Sequence, residues 1–164
     1  MPKLEVFFDY ICPHCLRGHD YLVALLPQFP ALEIEWRPCE SHPRPEEHGM
    51  HSDLCARAMM ALQAQGADLM EYHRRMYKAT LADKVNVEEL EVILEIAKGL
   101  GDGDALRAAL SGDAYQAELD ENTRLVWDVY DCPAVPSYRM GGRMLKSGLG
   151  VGVTKDQLEA FLKG

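Results

Sequence analysis

The stretch Lys3-Leu4-Glu5-Val6-Phe7-Phe8-Asp9-Tyr10-Ile11-Cys12-Pro13-His14-Cys15 decides how the rest of the chain is read. Residues 3–9 are rich in β-branched and aromatic types, with Leu4, Val6 and Phe8 on one side and Phe7 on the other. A near-continuous apolar run of this length predicts a central strand covered on both faces. Cys12-Pro13 ends it. Proline suits the first position of a helix, so Cys12 reads as the N-cap of a helix running to about Leu26, before Pro27. Leu16, Tyr21, Leu22 and Leu25 form its core side. Leu32-Glu33-Ile34-Glu35-Trp36 then alternates with period two, which predicts a second strand with Leu32, Ile34 and Trp36 inward. Strand, helix and strand within residues 3–36 make a βαβ unit with parallel strands.

The pair Cys12-Pro13-His14-Cys15 therefore falls where a strand hands over to a helix. The first turn of a helix has unpaired backbone N–H groups and a partial positive charge. A thiolate at Cys12 is stabilised there, which places its pKa in the roughly 3.5–7.5 range of such cysteines. A protonated His14 adds positive charge nearby. Cys15 lies one turn further in and is expected to be more buried. Cys12 is thus the nucleophile and Cys15 the resolving thiol. A zinc site normally needs four ligands, and no second C-x-x-C accompanies this one. Asp9, three residues before Cys12, has two readings: a proton relay to Cys15, or a hydrogen-bonded turn residue.

Outward from this unit, Pro38, Pro43 and Pro45 mark residues 37–51 as a loop. Helical patterns follow at 52–65, 68–79, 87–99, 103–110 and 114–129. Ser52, Asp68 and Asn86 are the expected N-caps, Asn86 with Glu89 resembling a capping box. After Tyr130 the pattern returns to β. Ser137-Tyr138-Arg139-Met140 and Arg143-Met144-Leu145-Lys146, joined by Gly141-Gly142, predict a tight hairpin. Thr154-Lys155-Asp156-Gln157 has capping-box spacing and opens a last helix with Leu158, Phe161 and Leu162 on one face. The class is α/β. One sheet domain, residues 1–38 and 130–164, is interrupted by an all-helical insertion, 39–129, with approximate boundaries.

Phe8-Asp9-Tyr10-Ile11-Cys12-Pro13-His14-Cys15, with Ala134-Val135-Pro136-Ser137-Tyr138 far downstream, resembles the DsbA-like branch of the thioredoxin superfamily, and within it the FrnE-type proteins. The resemblance covers nearly the whole chain. It implies a thioredoxin fold (βαβ…ββα) with a helical insertion and thiol–disulfide oxidoreductase activity. Cys12, Pro13, His14 and Cys15 would form the active-site motif. It also implies a cis peptide bond before Pro136, which would turn the Val135 backbone towards an extended substrate. FrnE-type proteins more often carry Trp at the position of His14, so the direction of exchange, oxidising or reducing, stays open.

The chain has 164 residues, 48% of them hydrophobic, enough to bury a core without disulfide staples. Its net charge of -9 argues against nucleic acid as a partner. No stretch approaches the roughly 20 apolar residues of a membrane span. The odd cysteine count, five, and a start that lacks an apolar signal region predict a cytoplasmic protein. Cys132 reads as a small turn residue rather than a third redox thiol. Cys39, His42, His51 and Cys55 match no zinc spacing. They read as a semi-buried thiol, solvated histidines and a core thiol, so no metal is expected. Met50, Met59, Met60, Met70 and Met76 are expected mainly in the core, a few lining a groove. No cofactor is expected, with glutathione a candidate co-substrate. Partners are protein or small-molecule thiols and disulfides, and the protein is a monomer or homodimer. Two alternative functions stand beside this one. A glutathione-dependent kappa-type transferase or isomerase would share the insertion but generally lacks the second cysteine. A non-enzymatic peptide-binding protein would not need Cys12.

Overall fold

The computed structural model describes residues 2–164. Four strands, β1 (Leu4–Phe8), β2 (Ile34–Pro38), β3 (Ala134–Met140) and β4 (Arg143–Ser147), form one sheet in the order β2-β1-β3-β4. β1 runs parallel to β2 and antiparallel to β3, and β3 and β4 pair as an antiparallel hairpin. Every residue of β1 is buried, as its apolar pattern requires. Glu5 is the exception in chemistry. Its carboxylate is bound from both sides, by Arg37 of β2 at 3.0 Å and Arg139 of β3 at 2.8 Å. A carboxylate inside a sheet is tolerable when both oxygens meet charged donors, and here the triad also ties three strands together.

Helix α1 (Pro13–Leu25) begins directly after Cys12, which has extended backbone angles and is its N-cap. It buries Cys15, Gly18, Leu22 and Leu25, while Leu16 and Tyr21 are half-buried. The buried face rests on β3 and on the last helix, α7 (Lys155–Lys163). Gly18 makes this approach close. A Cβ there would stand 2.6 Å from the Tyr138 hydroxyl and 2.9 Å from Pro136 Cγ. Thr154 and Gln157 form a reciprocal capping box at the start of α7, which buries Leu158, Phe161 and Leu162.

Between β2 and β3 lie α2 (Asp53–Ala64), α3 (Leu69–Tyr77), α4 (Leu90–Ile96), α5 (Gly103–Ser111) and α6 (Gln116–Arg124). The core is continuous from the sheet through these helices, including Phe8, Leu22, Met59, Tyr72, Met76 and Ile93. Met59, Met60 and Met76 are core residues, whereas Met70 borders a groove between α1 and α3. Arg57 is buried with its guanidinium on the carbonyls of Ala109, Gly112 and Ala114, holding the α5–α6 connection.

The structure departs from the sequence reading in four places. β2 begins at Ile34 and ends at Pro38, because its extent is set by pairing with β1 from Leu4↔Ile34 to Phe8↔Pro38. Leu32 is instead held in a turn, its N–H on the Phe29 carbonyl. It is an edge strand, where proline is admissible, and Trp36 is half-buried rather than in the core. The helix expected at 87–99 shrinks to α4, since Asn86 accepts the Glu88 N–H in a turn instead of capping. The helices expected to reach 79 and 129 end in π-helical turns, Lys78–Ala82 and Leu125–Val129. Among the described residues no helix is long and apolar enough to cross a membrane.

Candidate active site

The carboxyl ends of β1 and β2 and the start of β3 meet at one end of the sheet. There Cys12 is part-exposed and its Sγ lies 3.6 Å from the Val135 carbonyl oxygen. The Val135–Pro136 peptide bond is cis. Cys15 is buried at the base of α1, its Sγ accepting the Asp9 N–H at 3.4 Å. The two thiols differ sharply in proton affinity. Cys12 is lowered to about 7, first by a hydrogen bond from the Cys15 thiol and then by the backbone N–H groups of Cys15 and His14. Burial and the Asp9 charge oppose this. Cys15 is pushed well above the usual thiol range, by burial first and then by Cys12. One proton on Cys15 thus supports one negative charge on Cys12.

The helix-terminus argument from sequence accounts for the backbone donors. It missed the larger effect, the Cys15 thiol. His14 contributes through its backbone N–H. Its ring lies over Gly152 and its Nδ1 faces Arg17 Nη1 at 3.3 Å.

Asp9 is buried, and its carboxyl is raised above the usual range, first by burial. Its oxygens accept the N–H groups of Ile11 at 3.2 Å and Ser41 at 2.8 Å, and the Ser52 hydroxyl joins them. These are the contacts of a turn residue that also fastens the loop after β2. It is the main chain of Asp9 that meets Cys15. The π-helical turns brace the same end of the sheet. Thr80 Oγ1 donates to the Tyr10 carbonyl at 2.6 Å, and Trp127 Nε1 donates to the Glu40 carbonyl at 2.9 Å.

Cys12 opens onto a cavity of about 470 Å³. One wall is Pro133, Ala134 and Val135, and the other is Ser41, His42, Pro43 and Trp127. Leu149 and Gly150 complete the rim, with His14 beside them. Leu149 is 80% exposed and its neighbour Val151 71%. Sequence reading missed Ser41, His42, Trp127 and Leu149 as site residues. The signals were a tryptophan in the apolar run Leu125-Val126-Trp127 and the apolar residues of Gly148-Leu149-Gly150-Val151-Gly152, neither of which specifies a location.

Cys39 is fully buried, not semi-buried, and its Sγ donates to the Phe8 carbonyl at 3.4 Å. His51 is likewise buried rather than solvated, with Nδ1 donating to the His42 carbonyl, while His42 pairs with Glu46. Cys55 lies in the core. Among the described residues no three His, Cys, Asp or Glu side chains converge as metal ligands. Cys132 is buried after the turn at Asp131, its N–H on the Val126 carbonyl.

The family model of the DSBA-like thioredoxin domain matches residues 3–161. The uncharacterized protein YwbO of Bacillus subtilis is 20% identical over 90% of each chain. Among solved structures, the cytosolic disulfide reductase DsbM from Pseudomonas aeruginosa with GSH superposes with a TM-score of 0.72. It is 18% identical over 98% of this chain and 97% of that one. A probable DsbA oxidoreductase from Streptomyces coelicolor superposes with a TM-score of 0.82, at 16% identity over 99% and 89% of the two chains.

Proposed function

The chain belongs to the DSBA-like thioredoxin domain family of thiol–disulfide oxidoreductases, and we propose that its reaction is carried by Cys12 as nucleophile and Cys15 as resolving thiol. The observation that carries this reading is the opposed proton affinity of the two thiols, with only Cys12 facing the cavity. In the reducing direction, the Cys12 thiolate attacks one sulfur of a substrate disulfide, and the other sulfur leaves as a thiolate. Cys15 then loses its proton and attacks Cys12 of the mixed disulfide. The second substrate thiolate leaves, and a Cys12–Cys15 disulfide remains. The oxidising direction reverses each step. Pro13 starts the helix whose N–H groups hold the thiolate, and His14 supplies one of them.

Val135 and Pro136 border the thiol, and an extended substrate would pair with the Val135 backbone. Asp9 sits close enough to bias both thiols through its charge, and its carboxyl, held by Ile11, Ser41 and Ser52, acts as the turn residue ahead of Cys12 rather than as a relay to Cys15. Substrates are protein or small-molecule thiols and disulfides. Glutathione as co-substrate is supported by the likeness to a reductase solved with GSH. The odd number of cysteines and the same cytosolic relative support a cytoplasmic setting.

The test is the reduction potential of the Cys12–Cys15 pair, measured against glutathione buffers with Cys39, Cys55 and Cys132 changed to Ser. A value near roughly -120 mV would make the protein an oxidant, and one near roughly -270 mV a reductase. Failure to form an intramolecular disulfide would overturn the reading.

A further inference from the structure

The charges beside Cys12 run against those of the chain. The net charge is -9, and most cations are engaged by carboxylates. Arg44, Arg74, Arg75, Lys78, Arg107 and Arg124 each stand within 3.2 Å of one. Arg17 of α1 and Lys84, just past the Lys78–Ala82 turn, have none within 4 Å among the described residues. Both are exposed, and both line one cavity of about 490 Å³ that also takes in Pro13 of the active-site motif.

Two sets of contacts place these cations near the thiol. Arg17 lies just past the first turn of α1, and its Nη1 stands 3.3 Å from Nδ1 of His14, which borders the Cys12 cavity. Lys84 is held from the other side. Thr80, on the same cavity wall, fastens its π-helical turn to the Tyr10 carbonyl, two residues before Cys12. The chain then folds back, with the Val85 N–H on the Ala79 carbonyl at 3.0 Å, and Lys84 in that bend has φ +53°. Among the described residues, Asp20 is the one carboxylate on the cavity wall. With Leu16 and Leu81 it also borders the larger groove between α1 and α3, so it marks the junction of the two. The cations share the remaining wall with Pro13 and Thr80. No carboxylate lines the Cys12 cavity among the described residues.

A disulfide that bears a carboxylate approaches this chain against its net charge and against the thiolate it has to meet. Cations beside the approach path reverse that repulsion locally. One exposed charge pair is worth little, but two cations acting on one anion add. We propose that Arg17 and Lys84 form a carboxylate-binding subsite next to Cys12, which selects substrate disulfides carrying a carboxylate near the exchanging sulfur. This rests on the exchange reading and names the substrate class of the same site.

Two aromatic disulfides that differ in charge test it: dithiobis(nitrobenzoate), with a carboxylate on each ring, and neutral dithiodipyridine. Their rates are measured on the reduced whole chain with Cys39, Cys55 and Cys132 changed to Ser. The ratio of the two rates cancels any change in the supply of Cys12 thiolate. Arg17→Gln combined with Lys84→Gln should lower the ratio of anionic to neutral rate by roughly three- to tenfold at low salt. About 1 M salt should close most of that gap, since the Debye length falls to about 3 Å. Lys98→Gln removes a cation that lines a different cavity, beyond α4, and should leave the ratio within about twofold. A ratio unchanged in the double variant, or lowered as much by Lys98→Gln as by Lys84→Gln, would overturn the subsite. Glutathione disulfide and a peptide disulfide with Glu beside its cysteine then separate a small thiol from a protein as the source of the carboxylate. The one slowed in the double variant is the substrate served, and a loss with neither overturns the proposal. A failure of the exchange reading would show separately, as an absent Cys12–Cys15 bond.

Discussion

Cys12 and Cys39 follow adjacent parallel strands and lie at the same end of the sheet, yet their chemistry is opposite. Cys12 is lowered to about 7, whereas Cys39 is pushed well above the usual thiol range by burial. The difference lies in what comes next in the chain. After β1 a helix begins at once, and its free N–H groups and the thiol of Cys15 turn towards Cys12. After β2 there is a loop, and Cys39 continues the strand, its N–H and its Sγ both on the Phe8 carbonyl. A thiol at the end of a strand becomes reactive through the donors that follow it and the cavity it faces, not through its place in the sheet.

The largest expected effect would break the comparison outright. Cys12→Ser should reduce disulfide exchange by roughly a thousandfold or more, while Cys39→Ser should stay within about twofold of wild type. Rates with a peptide disulfide decide this, and equal losses would mean that Cys39 shares the chemistry. Next in size is the support under α1. Gly18→Ala drives a methyl into Tyr138 and Pro136, and should cost about 1–3 kcal/mol in denaturant unfolding. Exchange should fall with it, because the helix start moves relative to β3.

Stability against pH separates the two thiols by sign. Unfolded Cys12 titrates near 9 and folded Cys12 at about 7, so across that window the unfolded state holds more protons and stability rises with pH. The gain is full above 9 and absent below 7, and amounts to about 1–2 kcal/mol after allowance for partial exposure. Cys39 works the other way: its folded proton affinity is raised, so stability falls as pH climbs past its unfolded value. Unfolding of reduced Cys12→Ser and Cys39→Ser between pH 6 and about 10 should therefore change slope in opposite directions. The smallest effect concerns the rim that only Cys12 possesses. Leu149→Ser should raise KM for an apolar peptide disulfide a few-fold and leave unfolding within about 0.5 kcal/mol, since the side chain is exposed. An unchanged KM would remove Leu149 from the substrate path.

Local chemistry made much of this legible. The run from Leu4 to Phe8 has the apolar density of a buried strand, Pro13 opens a helix, and Thr154 with Gln157 caps another, because each signal acts within a few residues. The reading faltered where partners are remote. Leu32 has the pattern of a strand residue, but pairing with β1 starts at Ile34. Asn86 has the chemistry of a cap and spends it on a turn. His51 looks solvated in sequence and is buried against the His42 carbonyl.

From short-range chemistry alone, two cysteines one helical turn apart stand at a strand-to-helix junction, one of them within reach of free backbone donors. What faces them depends on long-range packing. The Val135 carbonyl, the Trp127 wall and the Leu149 rim come from segments far along the chain. They meet Cys12 through sheet register and helix packing. Such contacts depend on how distant apolar faces close on one another, and no short-range pattern encodes that.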